Sequence, residues 1–147
     1  MSMTKQRLID AVAIVSVLLI LAALVGCSKG GPKTHLVSGR VELAGADVGL
    51  LAGHTVEVAL RSDPHIRAAG EIQPDGSFTL QSVQASAVLS GAVEGEYQAR
   101  IILSDDDLAR HSAAAKVVHP RFLQFDKSGL ALRVPSAQAI ALPVTRR

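Results

Sequence analysis

The sequence predicts an all-β fold, an antiparallel β-sandwich of about seven strands that is preceded by a signal-peptide helix. After residue 35, short runs of alternating apolar and polar residues recur, as in strands that bury one face. Gly, Pro, Asp and Ser separate these runs about every 8 to 15 residues. An α/β fold would need helices between its strands, and only one segment beyond residue 35 has helical character.

The first two strands are predicted at residues 36–43 and 55–61. In the first strand, alternate positions are apolar or glycine and are expected to face the core: Val37, Gly39, Val41 and Leu43. In the second strand, the corresponding inward positions are Val56, Val58 and Leu60. A glycine-containing loop at residues 44–53 connects the two strands, and the second strand ends at Ser62-Asp63-Pro64-His65.

A hairpin is predicted next, with strands at residues 68–73 and 77–83. The turn between them contains Pro74-Asp75-Gly76, in which the proline fixes φ and the glycine accepts a positive φ. Phe78 and Leu80 are two positions apart in the second strand. They are therefore expected to lie on one face of it.

Residues 84–95 are small and carry a single charge, so they are expected to form a loop. Alternation resumes at residues 96–104, and the inward positions of this strand are predicted to be Tyr97, Ala99, Ile101 and Leu103. We expect the ring of Tyr97 to be buried between the sheets. Its hydroxyl group should form a hydrogen bond at the rim of the core, as buried tyrosines usually do.

The C-terminal third of the chain contains the one helix-like or irregular segment, at residues 105–116. Residues 117–125 are expected to be extended or looped around Pro120, because proline interrupts regular structure. The last two strands are predicted at residues 130–134 and 140–144, and the link between them is Pro135-Ser136-Ala137-Gln138.

The N-terminal region has the layout of a secretory signal. Lys5 and Arg7 precede an uncharged, largely apolar run at residues 11–26, and small residues follow. The only cysteine of the chain, Cys27, comes directly after Leu24-Val25-Gly26. This ending resembles the lipobox of bacterial lipoproteins. The resemblance implies that the chain is cut before Cys27, which is then diacylated on sulfur and acylated on its new amino group.

An uncleaved membrane-spanning helix is the alternative interpretation of residues 11–26. Such a helix would reach about 24 Å, less than the hydrocarbon core of about 30 Å, and a start at Leu8 would place Asp10 near its end. Both interpretations put the rest of the chain outside the cytoplasm. In lipoproteins of this kind, a serine after the modified cysteine, here Ser28, usually accompanies export to the outer membrane. We therefore expect a lipid anchor in the outer membrane, facing the periplasm.

Three regions follow from these observations: a lipoprotein signal peptide at 1–26, the lipidated cysteine with a flexible tether at 27–35, and a β-sandwich domain at 36–147. After residue 26 there remain 13 Lys and Arg, which is 15 less Lys5 and Arg7, against 12 Asp and Glu, which is 13 less Asp10. A net charge of about +1 without clustered basic residues argues against nucleic-acid binding. One tyrosine and three phenylalanines provide few aromatic faces for binding sugars.

The order of five motifs resembles that of a known domain family. The motifs are Val37-Ser38-Gly39-Arg40-Val41, Leu51-Ala52-Gly53-His54-Thr55-Val56-Glu57-Val58, Ala69-Gly70-Glu71-Ile72, Pro74-Asp75-Gly76-Ser77-Phe78-Thr79-Leu80 and Gly95-Glu96-Tyr97-Gln98-Ala99-Arg100-Ile101. Over roughly residues 36–144, the chain resembles the carboxypeptidase regulatory-like, or transthyretin-like, domain. It also resembles short bacterial envelope lipoproteins built from one such domain. The resemblance implies a transthyretin-like or Ig-like sandwich that serves as a non-catalytic folding, adhesion or scaffolding module.

Two sets of side chains suggest metal sites, and each has a simpler interpretation. A zinc site would need loops to bring together His65, His111 and His119, whose spacing matches no zinc motif; solvated loop histidines are the alternative. Calcium ligands are offered by Asp105, Asp106 and Asp107, but acidic residues also favour the start of a helix. No nucleophile motif or phosphate-binding loop occurs, so we expect no catalytic residues, no enzymatic activity, no cofactor and no bound metal.

The leading functional hypothesis is a lipid-anchored binding or scaffold module of the cell envelope, whose partner is another envelope protein or the cell-wall polymer. The alternative is a small ligand- or metal-binding carrier or enzyme that uses loop His and Asp residues. A partner surface is predicted in residues 105–116 rather than in 84–95, because the former carry enough charge to orient a partner. The residues of this surface are Asp105, Asp106, Asp107, Arg110 and His111.

Overall fold

The computed structural model describes residues 32–84 and 86–147, which form mainly strands. The strands are β1 (Thr34–His35), β2 (Ser38–Ala44), β3 (Thr55–Leu60), β4 (Arg67–Glu71), β5 (Ser77–Thr79), β6 (Gln81–Gln84), β7 (Ala87–Ser90), β8 (Ala92–Val93), β9 (Gly95–Ile102), β10 (Leu130–Val134) and β11 (Ile140–Thr145). Two α-helices are present in this part of the chain, α1 (Leu108–Val117) and α2 (Phe125–Ser128). Two 3-10 helices lie at Val48–Leu51 and Pro120–Leu123.

The strands assemble into two main sheets and a short ribbon. The larger sheet has six strands in the order β10-β9-β3-β4-β6-β7, the smaller has the order β11-β2-β5, and β1 pairs with β8. All pairs of the larger sheet are antiparallel, but β11 runs parallel to β2. The all-β sandwich is confirmed, with two corrections: the described residues form eleven strands instead of about seven, and one pair of strands is parallel. The parallel pair arises because the link after β10 carries the chain across to the other sheet instead of turning back beside β10.

Both sheets bury alternate side chains in one continuous hydrophobic core. The inward positions predicted for β2, β3 and β9 are confirmed, with Gly39 and Leu103 half-buried and the others buried. Phe78 and Leu80 are also both buried. Each Val or Leu that is fully removed from water contributes about 1.5–3 kcal/mol to folding, so this core supplies the main stabilising term.

The prediction for Tyr97 is confirmed in both parts. Its side chain is fully buried in the core between the sheets. Its hydroxyl group donates a hydrogen bond to the carbonyl oxygen of Val93 at 3.0 Å. Burial of the phenol raises the pKa of Tyr97, because the charged phenolate would lose its hydration.

The strand predicted after Pro74-Asp75-Gly76 is divided into two strands, β5 and β6, which belong to different sheets. The predicted tight turn forms, since the N–H of Gln73 donates to Ser77 and the N–H of Gly76 donates to Gln73, both at 2.8 Å. However, β5 pairs with β2 in the smaller sheet, and it is β6, not β5, that pairs with β4. The predicted hairpin is therefore only partly correct. The chain crosses between the sheets at the buried Leu80, which belongs to neither pairing.

Residues 84–95, predicted to be a loop, contain two strands, and that prediction is wrong. β7 pairs with β6, and Ser86, which precedes β7, has a positive φ of 68°. β8 pairs with β1, so Thr34 and His35 of the predicted tether also form a strand. Backbone pairing decides the structure here, because the small side chains of this segment give no alternating pattern to read.

Helix α1 confirms the helical character of residues 105–116, whereas the prediction for residues 117–125 is wrong. Pro120 does not interrupt regular structure there but begins a 3-10 helix, in which the missing N–H of proline is no loss at the first position. Phe122 of this helix is buried in the core, and α2 follows directly. Within residues 32–84 and 86–147, the helices are too short or too polar to cross a bilayer.

Candidate functional site

The five residues predicted as a partner surface lie together where β9 passes into α1. Asp105, Asp106 and Asp107 precede the helix, and Arg110 and His111 belong to its first turns. All except the half-buried His111 are exposed. We call this region, together with Leu108, the α1 surface.

Asp107 begins the helix. Its Oδ1 accepts hydrogen bonds from the backbone N–H groups of Ala109 at 2.9 Å and Arg110 at 3.0 Å. These are N–H groups that a helix cannot satisfy internally, which explains why aspartate is favoured at this position. The bond from the Arg110 N–H, followed by that from Ala109, lowers the pKa of Asp107. The carboxylate therefore stays ionised over a wider acidic range.

The other two carboxylates of the α1 surface have different partners. Asp106 accepts a hydrogen bond from the hydroxyl group of Ser104 at 2.8 Å. Asp105 lies 2.9 Å from Nδ1 of His111, which is also 3.3 Å from the carbonyl oxygen of Ser104. Because both of these partners can only accept, Nδ1 of His111 must carry the proton. The three carboxylates thus point to separate partners instead of surrounding one cation.

His54 lies beneath this surface and was missed by the sequence analysis. It is fully buried, and its Nδ1 accepts a hydrogen bond from the backbone N–H of Ser104 at 3.0 Å. Its Nε2 has no hydrogen-bond partner within the described residues. Burial lowers the pKa of His54, a backbone contact with Arg110 opposes this effect, and the nearby His111 and Arg110 lower the pKa further. Neutral His54 therefore holds the segment that leads into α1 against the start of β3.

This arrangement predicts a pH dependence of stability. The pKa of His54 is below 6.5 in the folded protein, so between about pH 7 and pH 5 the unfolded chain binds more protons than the folded one. Stability from neutral His54 is thus fully present above about pH 6.5 and is lost as the pH falls. Urea unfolding at about pH 7.5 and about pH 5.5 measures this loss.

The matched control for the pH dependence is His54→Asn. Its amide oxygen can accept the Ser104 N–H bond, but the side chain does not titrate. We expect this variant to lose less of its unfolding free energy between the two pH values than the wild-type chain does. Equal losses in the two proteins would show that His54 does not titrate during unfolding.

Leu108 is the second residue that the sequence analysis missed. It is the first residue of α1, it is 78% exposed, and the other five residues of the α1 surface are ionisable. An exposed leucine gives a binding partner apolar area to bury, at about 25 cal/mol per Å² removed from water. The sequence could have indicated this residue, because Leu108 is the only large apolar residue between Asp105 and His111.

The remaining predicted histidines lie elsewhere. His65 is an exposed residue of the β3–β4 connection. His119 precedes the 3-10 helix, where its Nδ1 accepts the N–H of Arg121 at 3.2 Å. In residues 32–84 and 86–147, no three His, Cys, Asp or Glu side chains are placed to hold a metal ion. The structure therefore does not gather His65, His111 and His119 into the suggested zinc site.

A second charged cluster lies on the outer face of the larger sheet. The carboxylate of Glu57 accepts hydrogen bonds from Arg67 at 3.1 Å and from Nε of Arg100 at 2.7 Å. Both guanidinium groups also lie over the ring of Phe125, at 5.5 Å and 4.6 Å from its centre. These contacts attach α2 to the sheet, and each charge has its partner, so the cluster has a structural role.

An open groove of about 530 Å³ lies where β4 and β5 diverge. Its lining is mostly uncharged and polar, and includes Thr55, Gln73, Ser77, Thr79 and Gln81. Glu71 is the one ionisable residue of this lining. General acid–base catalysis generally needs ionisable groups whose pKa values are shifted by their neighbours. The groove has one ionisable side chain, whereas the α1 surface has several, so the groove is the weaker candidate site.

The comparisons with known proteins identify no relative: no family model, curated protein or solved structure matches this chain. The predicted lipidation site, Cys27, and the predicted signal peptide lie outside the described residues. The α1 surface is therefore the candidate site on which structure and sequence analysis converge.

Proposed function

We propose that this chain is a lipid-anchored, non-catalytic binding module of the bacterial cell envelope, which contacts another envelope protein through the α1 surface. The observation that carries the anchor is the position of the only cysteine, directly behind Leu24-Val25-Gly26 and an apolar run. Two or more acyl chains on Cys27 would make the attachment stable, since each buried CH₂ contributes about 0.8 kcal/mol. Ser28 favours the outer membrane, with the domain facing the periplasm.

The α1 surface supports the binding role. Its backbone is held by the Asp107 cap and by the bond from Ser104 to His54, so little conformational freedom remains to be lost on binding. The exposed Leu108 supplies an apolar side chain, and the exposed Asp105, Asp106 and Arg110 are close to it along the chain. This combination of an apolar side chain and charged groups fits a protein partner with an apolar pocket better than it fits a polysaccharide. The resemblance to carboxypeptidase regulatory-like domains of envelope lipoproteins agrees with a binding role.

The anchor is tested by metabolic labelling with a fatty acid in intact cells. We expect the Cys27→Ala chain to carry no label and to remain as an uncleaved precursor or to be released. Ser28→Ala is the matched control, because it alters the next residue but leaves the cysteine, and it should be labelled like the wild-type chain. Label that persists in Cys27→Ala would disprove lipidation at this residue.

The contact surface is tested by photo-crosslinking in the same cells. A photoreactive residue at position 108 should yield protein adducts, whereas one at the exposed position 131 of β10 should yield few. Leu108→Asp should weaken partner binding by about tenfold or more, the effect typical of a dominant interface side chain. Adducts of equal yield from both positions would refute the choice of the α1 surface while leaving the anchor untouched.

A further inference from the structure

Among the residues that the structure describes, β7 is an outer strand of the larger sheet, and no strand of that sheet pairs with its second edge. Within the described residues it pairs with β6 alone among the strands of that sheet. The N–H of Gly91 donates to Leu80 at 2.8 Å, so hydrogen-bonded and non-bonded pairs alternate from that point along the hairpin. This alternation turns the backbone N–H and C=O groups of Val88 and Ser90 away from β6, toward the open edge.

The other outer strands of the two main sheets carry features that discourage edge pairing. β10 carries the exposed Arg133, and β5 has only three residues. β11 contains Pro143, and just after its end Arg146 forms a β-bridge with Val118. An outer strand is prevented from pairing with another strand when it carries charged side chains or a proline, when another segment covers its edge, or when it is very short. β7 has neither a charge nor a proline, because residues 83–93 contain none. β1 lies near the C-terminal end of β7, where the backbone of His35 packs against Gly91, and leaves Val88 as the centre of the strand.

The open edge also carries exposed apolar side chains. Val83 and Val88 are directly opposite each other in the β6–β7 pair. Their side chains are 70% and 65% exposed, respectively. They therefore form a short apolar row that runs across the hairpin and ends at the unpaired edge. A strand added beside β7 would extend this row and cover the side of Val88.

We propose that this chain self-associates by antiparallel pairing of β7 with β7 of a second copy, around a two-fold axis at Val88. The two Val88 residues would exchange two N–H···O bonds, and the valines at positions 83 and 88 of both copies would form one row of four. A second copy is the favoured occupant because an uncharged strand pairs with itself without like charges in opposition. The inference goes beyond the function proposed above and does not depend on lipidation.

Cysteine crosslinking tests this geometry on the full-length chain purified in detergent. In a hydrogen-bonded antiparallel pair the two Cα atoms are about 5.5 Å apart, which a disulfide can span. We expect Val88→Cys to form a covalent dimer under a mild oxidant, and to link two copies that carry different tags. Leu108→Cys is the control because position 108 is at least as exposed as position 88 but lies outside β7, and the wild-type chain reports any contribution of Cys27.

Self-association without a crosslink provides the second measurement, by sedimentation of the same preparations. Val88→Lys would place like charges directly opposite each other, and we expect it to weaken self-association by about tenfold or more. Val88→Thr keeps the branched shape and strand preference without a charge and should associate nearly as well as the wild-type chain. A monomeric wild-type chain, equal association of Val88→Lys, or equal crosslinking at positions 88 and 108 would overturn the proposal.

Discussion

Tyr97→Ala is expected to lower the free energy of unfolding by about 3–5 kcal/mol, the range found for buried aromatic residues that are truncated to alanine. The ring is fully buried between the sheets, so its removal leaves a cavity in the continuous core. The chain has one cysteine and therefore no internal disulfide to offset such a loss. This loss would be a large fraction of a typical stability of about 5–15 kcal/mol. Chemical denaturation of the wild-type and variant chains measures the difference.

Tyr97→Phe is the matched control for this prediction. It keeps the ring but removes the hydroxyl group that donates to Val93 at 3.0 Å. The cost should be about 1–3 kcal/mol, because the carbonyl of Val93 is left without this partner. A Tyr97→Ala midpoint equal to that of the wild-type chain would show that the ring is not buried as described.

Gly91→Ala is expected to have the second largest effect, about 2–5 kcal/mol of destabilisation. Gly91 has a φ of +88°, where an L-residue is strained. A Cβ at this position would also overlap the carbonyl oxygen of His35 and lie 3.0 Å from the Cα of Leu36. Those atoms belong to the backbone of β1 and of the residue that follows it, so they cannot move aside without displacing the strand. Thermal or chemical unfolding of the variant provides the measurement.

Gly129→Ala separates the conformational strain of a positive φ from the steric overlap of the added Cβ. Gly129 has a similar φ of +68°, but a Cβ there would have no atom within 4 Å. This variant should therefore lose only the conformational part, about 1–2 kcal/mol. If the two variants were destabilised equally, the close approach of β1 to Gly91 would be refuted.

Alternation along the chain was sufficient to predict most of the large strands and their inward faces. Val56, Val58, Tyr97 and Ile101 were all placed correctly, because apolar side chains on every second position leave a sheet one favourable orientation. The same reasoning failed at β7 and β8, where Ala, Ser and Gly provide little contrast between the two faces. A turn motif has a related limit. Pro74-Asp75-Gly76 specifies a reversal of the chain but not which sheet the following strand joins.

The candidate site was predictable in its exposed residues and not in its buried ones. Consecutive aspartates before a helical segment indicated a charged helix start, and Asp107 is indeed the cap. His54 belongs to no motif of metal binding or catalysis, and its role depends on Ser104, which is fifty residues further along the chain. Such a contact arises from the packing of β3 beside β9, which a local pattern does not encode. Leu108 was overlooked because an apolar residue on a helix is usually interpreted as core.

β2, which pairs in parallel with β11, leads from the start of the described domain to its opposite end. The chain enters through Pro32 and β1, and β2 carries it about 20 Å along the sandwich to Ala44, opposite Thr145. The 3-10 helix at Val48–Leu51 and the start of β3 follow at that far end, where Thr55 pairs with Ile102. The α1 surface, which directly follows Ile102, thus lies a full strand length from Pro32, where the described domain begins. A partner bound at the α1 surface would therefore meet the opposite end of β2 from the one at which the chain enters the domain.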